Sequence, residues 1–364
     1  MPIVRNQLWK RHSEQIPMTA VASRWSIGCV RNVLLVTWCL SIQSSLAVAA
    51  PTAQEVLASL PFSDAEKQQI LKGDLVTAAA KVSSERELAV VMAFLVKQPP
   101  ADLVAVFRKA GGLKSDPMIN GHGEINGEGS LDDFRGVVLT PDAETAAQRY
   151  LNAAPGTEWN LDSPEIAAFS ALKAQNPSGA AAVQHVEAQL RTVLLARYQA
   201  YRAGGLSAIA PYDRGGSKRQ PGEELKSATE AAKLLAQYPP VFHTVLLKYP
   251  QAEAVGLEES FHWINFNIDN RPTLALTHRL SMPLDRGYVV ADRHYYVGRS
   301  HNTVQAVAGL LPVNEGTIVF YVNRTSTDQL GGFGSSAKRA IGSRIMAKQI
   351  SETFEKMRTR SKGK

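Results

Sequence analysis

The chain changes its hydrophobic rhythm about two-thirds of the way along. Through residues 51–250 apolar side chains recur mostly at helical spacing. From about residue 258 they alternate with polar ones or run together, rich in β-branched and aromatic types. In the first stretch, Ser63 with Glu66 three residues on reads as a capping box and Gly73 as a stop. Ser84 opens a second expected helix, with Leu88, Val91, Met92 and Leu95 at helical spacing before Pro99-Pro100. A third is expected over 102–110, closed by Gly111-Gly112.

Residues 119–136 break this rhythm with glycines at 121, 123, 127 and 129. Asn126-Gly127 suits a tight hairpin turn, with Val137-Val138-Leu139 expected to leave it as a strand. The carboxylates there lack the alternate spacing of a calcium loop. Helices are expected again over 142–250. One opens at Asp162-Ser163-Pro164-Glu165. The longest runs over 180–202, with Val186, Leu190, Leu194 and Tyr198 on its stripe. The loop 210–222 is long enough for a lid, and a further helix follows over 223–237.

Four strands are expected at 261–268, 273–282, 287–309 and 316–325. The third is too long to stay straight, so it should bend near Gly298 or Ser300. A last helix over 336–357 should bury Ile341, Ile345, Ile350, Phe354 and Met357. The fold class is therefore α+β: a helical N-terminal half followed by an antiparallel β-sheet packed on a long C-terminal helix.

The first residues change the picture of location. Arg24 and Arg31 precede the apolar run 33–42, and small residues through Ala47 and Ala49 follow it. This is the layout of a secretory signal with cleavage after Ala49, and the run is too short to span a bilayer. Met18 is an alternative start. Both cysteines, Cys29 and Cys39, fall inside the signal, which leaves the mature chain without disulfides or thiol chemistry. The net charge of +7 also shrinks on cleavage. The first 49 residues hold five Lys/Arg and one Asp/Glu, which leaves 35 against 32, a net of +3. Nucleic acid is not called for as a partner. The expected organisation is a signal at 1–49, a helical region at 50–118, and a glycine-rich turn with helices at 119–250. The sheet and last helix follow at 251–357, then a basic tail at 358–364. Five Lys/Arg among the last nine residues suit that tail to peripheral contact with anionic lipid.

An antiparallel sheet that ends in one long amphipathic helix resembles the C-terminal portion of START-like lipid-transfer domains, here over about 258–357. The resemblance lies in the order of elements. It implies a sheet wrapped around its last helix, an enclosed apolar cavity, and a lipid or other apolar small molecule as ligand.

The densest polar cluster is 292–302. Alternation would put Asp292, His294, Tyr296 and Ser300 on one face of the strand, and Arg293, Tyr295, Arg299 and His301 on the other. A Ser300–His294–Asp292 triad fits badly, because six extended residues separate His294 and Ser300 by about 20 Å. His278 lies between Leu276 and Leu280 on an apolar face, as either a core histidine or a polar contact in a cavity. Arg324 either pairs with a carboxylate such as Asp328 or receives an anionic head group. The histidine spacing gives no zinc motif, and the glycines at 331–334 lack phosphate-loop spacing, so no cofactor is expected. The expectation is an exported, periplasmic or secreted, protein that binds an apolar small molecule through His278, Arg293, His294, Tyr296 and Arg324. The rival readings are a hydrolase or isomerase with a histidine acid–base, and a non-catalytic envelope scaffold.

Overall fold

Capping boxes set the first two helices of the computed structural model, which describes residues 51–109, 118–268, 270–330 and 335–361, with side chains reaching residue 352. The expected signal and Ala49 cleavage point lie outside the described residues, as do glycines 331–334. Helices α1 (Ala53–Ser59) and α2 (Asp64–Lys72) start at Thr52/Glu55 and Ser63/Glu66, and Gly73 ends α2 with a left-handed φ of 104°. Then come β1 (Val76–Ala79), β2 (Glu87–Val96), α3 (Pro100–Arg108) and β3 (Ile119–Ile125). Helices α4 (Ala143–Leu151), α5 (Ser163–Ala174) and α6 (Gly179–Gly204) precede a small hairpin of β4 (Tyr212–Asp213) and β5 (Lys218–Arg219). After α7 (Pro221–Glu230), α8 (Lys233–Gln237) and α9 (Pro240–Lys248) come five long strands: β6 (Glu258–Ile268), β7 (Arg271–Pro283), β8 (Tyr288–Val297), β9 (Thr303–Val313) and β10 (Gly316–Ser326). Helix α10 (Ser335–Ser361) is last and runs into the expected tail.

Among the described residues, eight strands form one antiparallel sheet in the order β1-β2-β10-β9-β8-β7-β6-β3. The α+β class holds. The sheet has two covered faces. On the front, α1 and α2 pack against Val91, Ala93, Leu95, Ile318 and Phe320, while α4 to α6 and α9 pack against Leu274, Leu276, Leu280 and Tyr295. On the back, α3 covers Met92, Phe94, Val290 and Leu310, and Ile350 of α10 joins that cluster.

Four expectations change. Residues 87–96, expected as helix, are β2, paired with β1 on one side and β10 on the other. Because β2 is buried on both faces, its sequence is a nearly unbroken apolar run, and such a run satisfies a helical template as readily as a strand. Asn126-Gly127 does turn the chain, with Gly127 at φ 55°, but β3 pairs with β6 and not with 137–139. Val137 and Leu139 instead pack as irregular chain beside α6, where the Leu139 N–H donates to Glu187 Oε1 at 3.0 Å and Arg191 donates to the Val137 carbonyl. The expected 210–222 lid is a pinned hairpin, since Arg214 and Arg219 both donate to Asp328 at 2.8 Å.

The last helix is also turned from its expected stripe. Ile341 and Ile345 are 58% and 53% exposed, whereas Gly342 meets Leu88 and Ile350 is half-buried. The absence of a side chain at 342 lets the backbone approach β2, and the positions in register with it turn inward. Phe354 and Met357 side chains lie outside the described residues.

The glycine-rich stretch has a packing role. A Cβ at Gly123 or Gly136 would overlap the Trp263 indole, and Gly121 lies against the same ring. The glycines leave a slot for the indole, whose Nε1 donates to the Asp133 carbonyl at 2.8 Å.

Candidate functional site

Strand β8 decides where the polar residues point. Leu276 pairs with Tyr296 but Thr277 pairs with His294, so Tyr295 is an extra residue, a β-bulge. The bulge sends Tyr295 and Tyr296 to the same side. Tyr295 stacks on Tyr201 at 4.0 Å between centroids, and Tyr296 lies under the Arg197 guanidinium at 4.3 Å. The strict alternation expected for 292–302 is therefore corrected: Tyr296 joins Arg293 on the front, and His294 and His301 share the back.

The five expected ligand contacts do not converge. His278 and Arg293 are fully buried on the front, Tyr296 packs with α5 and α6, and His294 faces the back. Arg324 sits at the end of β10, where it donates to Glu87 Oε2 at 2.9 Å and to the Lys81 carbonyl. Its carboxylate is Glu87 and not Asp328, which is held by Arg86, Arg214 and Arg219.

The front residues form a network that is buried at His278 and Arg293 and reaches solvent at Glu259, whose side chain is 33% exposed. His278 Nε2 lies 2.8 Å from Glu259 Oε2, and its Nδ1 lies 3.0 Å from the Tyr201 hydroxyl. Arg293 donates to that hydroxyl at 3.3 Å, to Gln305 Oε1 at 2.6 Å and to the Leu246 carbonyl at 2.8 Å. Only one neutral tautomer fits: Nε2–H donates to Glu259, and Nδ1 accepts from Tyr201, whose oxygen accepts from Arg293. Burial pulls the His278 pKa down to about 4; the Glu259 hydrogen bond and charge oppose this, and the Arg293 charge reinforces it. Phe261 and Tyr249 close over the imidazole at 4.2 and 4.6 Å. His278 is thus a core histidine whose two ring nitrogens are both met by side chains, Glu259 and Tyr201. Glu259 escaped the sequence reading because it meets His278 only through the β6–β7 register, diagonally across the pair.

The back face carries a different set. His262, Thr277 and His294 are cross-strand neighbours, as are Arg279 and Asp292 one step along. His294 stacks on Phe266 at 5.8 Å and lies 6.5 Å from the His301 ring. Arg279 donates to Asp292 Oδ2 at 3.1 Å. Four buried atoms here have no hydrogen-bond partner among the described residues: Thr277 Oγ1, Asp292 Oδ1, His294 Nδ1 and His301 Nε2. The band is not fully closed, since the His294 and Asp292 side chains are 15% and 19% exposed. Burial lowers all three histidines: His262 to about 4, helped by the Arg279 charge, His301 to about 3, helped by His294, and His294 below its ordinary value, with Asp292 opposing. All are neutral imidazoles near pH 7.

No family model, curated protein or solved structure matches this chain.

The chemistry must therefore be read from the residues. A hydrolytic arrangement is poor. Ser300, held at φ 74°, places Oγ 2.9 Å from His301 Nδ1 and not against His294. Asp292 Oδ1 is 3.9 Å from His294 Nε2, too long for an orienting hydrogen bond. An imidazole with a pKa near 3 is also a weak base at neutral pH, far from the match that proton transfer favours. Among the described residues, no group of three His, Cys, Asp or Glu side chains is placed to hold a metal ion. No described helix is long and apolar enough to cross a membrane.

Proposed function

We propose that the protein is an exported binder or carrier of a small molecule, with an apolar body and a neutral hydrogen-bonding head, held on the back face of the sheet. One observation carries the reading: Thr277 Oγ1, Asp292 Oδ1, His294 Nδ1 and His301 Nε2 are buried together without hydrogen-bond partners among the described residues. Unpaired buried polar atoms cost about 1–3 kcal/mol each, so their retention on one patch points to a visiting partner. The neutral imidazoles offer both a donor and an acceptor, which favours a carbonyl or hydroxyl head over an anion. Phe266, Val304 and Ala306, all half-buried on the same face, supply apolar surface beside it. The signal layout of residues 1–49 supports export, and the START-like order of elements supports a ligand between sheet and last helix.

His278, Arg293 and Tyr296 are not contacts in this proposal, because all three are buried, His278 and Arg293 with their hydrogen bonds made inside the protein and Tyr296 under Arg197. The test is native mass spectrometry of gently purified mature protein against its denatured mass, for wild type and for His294→Phe. A discrete excess of small-molecule mass, lost on denaturation and reduced in the variant, is expected. No excess in repeated preparations, with His294 and His301 imidazole NMR signals unmoved by envelope lipid extracts, would overturn it.

A further inference from the structure

Where the end of β10 meets the start of α7, a cavity of about 240 Å³ is lined by Arg86, Lys218, Arg219, Glu224, Arg324 and Ser326, among others. It is far smaller than a lipid. At about 30 Å³ per water it holds roughly eight water-sized groups, the size of a small organic acid.

Three features of this cavity point to an anionic oxygen. It sits on the first turn of α7, where the N-cap Gln220 provides no side-chain acceptor and Pro221 follows it, so the helix N-terminus is uncapped. Cationic side chains approach from two elements, β5 (Lys218, Arg219) and β10 (Arg324), and from Arg86 ahead of β2; Arg86 and Arg219 also pair with Asp328 and Arg324 with Glu87, and Glu87 and Glu223 share the lining. Arg324, only 7% exposed, uses its terminal nitrogens on Glu87 and Lys81 but leaves Nε without an acceptor.

A fourth feature asks for a donor. Glu224 Oε1 accepts from Asn302 Nδ2 at 3.2 Å, while Oε2 is buried without a completed hydrogen bond. The Ser326 hydroxyl, on a residue 7% exposed, lies beside it and also makes no well-aligned bond. Burial raises the Glu224 pKa, against the pull of Ser326, Asn302 and Arg219. Of the two carboxyl oxygens it is Oε2 that lacks a donor among the described residues.

We infer that this cavity is a second binding site, for a small carboxylate that bears an amino or hydroxyl group close to its acid. The carboxylate would take the Arg324 Nε–H and the α7 N-terminus, and the amino or hydroxyl group would donate to Glu224 Oε2 and meet Ser326. This site is independent of the back-face proposal, with which it shares no residue.

The experiment uses the whole mature chain and saturation-transfer NMR at millimolar ligand, with alanine, serine, lactate, acetate and inorganic phosphate as probes. Binding of alanine and serine, or of lactate, well above that of acetate and phosphate is expected; which of the two groups binds separates the amino from the hydroxy acid. Ser326→Ala and Glu224→Gln should each weaken that binding about tenfold or more while the thermal transition stays near wild type. Arg324→Gln should abolish it, and if that variant does not fold, the other two still decide. Absence of binding by every probe overturns the site. Acetate or phosphate binding as well as the others overturns the donor requirement, and binding indifferent to Ser326→Ala and Glu224→Gln overturns the placement.

Discussion

Lowering the pH from 7.5 to 5.0 should destabilise this protein, and His278 makes the effect measurable. In the unfolded chain a histidine titrates near 6.5, whereas His278 in the fold is held at about 4. The unfolded state therefore binds the extra proton first, and stability is lost as pH falls below 6.5, levelling off below about 4. At pH 5.0 nearly all unfolded chains carry that proton and few folded ones do, which amounts to about 2 kcal/mol. The main cause is burial of the imidazole, which penalises its charged form, and the Arg293 charge adds to it. A proton on Nδ1 would face the Tyr201 hydroxyl, which already receives a hydrogen bond from Arg293, and would place a second cation beside that arginine. His262 and His301 act in the same direction, so the wild-type loss alone does not isolate His278. The comparison that does is urea unfolding of wild type and His278→Gln at both pH values. The variant is expected to be less stable at pH 7.5, because it disturbs two buried hydrogen bonds. Its further loss on going to pH 5.0 should be smaller than that of wild type by about 2 kcal/mol. Equal pH dependence in the two proteins would refute the neutral, buried histidine.

Tyr201→Phe should cost about 1–3 kcal/mol in chemical denaturation, because it deprives both His278 Nδ1 and Arg293 of a buried partner. Gly123→Ala should cost about 1–3 kcal/mol through the clash with Trp263, seen as a lower urea midpoint with altered tryptophan emission. Glu165→Gln breaks the buried pair in which Arg197 donates to both carboxylate oxygens at 2.7 and 2.6 Å; a loss of about 3–5 kcal/mol is expected, and adding Arg197→Met should recover part of it. Recovery of nothing in the double variant would show that the Arg197 contact with Tyr296, and not its charge, carries the site.

Much of the C-terminal sheet was legible in the sequence, because its strands are long, β-branched and separated by turns such as Gly287 and Gly316. The bend expected near Gly298 or Ser300 falls where β8 ends and β9 begins. Strand β2 was not legible, since burial on both faces removes the alternation that distinguishes strand from helix. The candidate site was legible only as residue types. Alternation gave the right faces up to His294 and the wrong one for Tyr296, because a bulge adds a residue without any mark in composition. The partners of His278 come from β6 and α6, 19 and 77 residues away, and their meeting depends on register and on helix docking that local patterns do not carry.

The order of strands has a consequence for how the chain reaches its fold. Strand β2 lies between β1 and β10, so its second ladder joins Val96 to Thr317 and Glu87 to Ser326 across most of the chain. Closing so long a loop costs entropy before any contact is gained, and topologies rich in such pairings fold slowly. A ribosome releasing the first hundred residues would therefore release an apolar strand with one side unpaired until the last strand arrives. If the proposed export holds, that delay would keep the chain open during transit and defer closure of the sheet to the far side of the membrane.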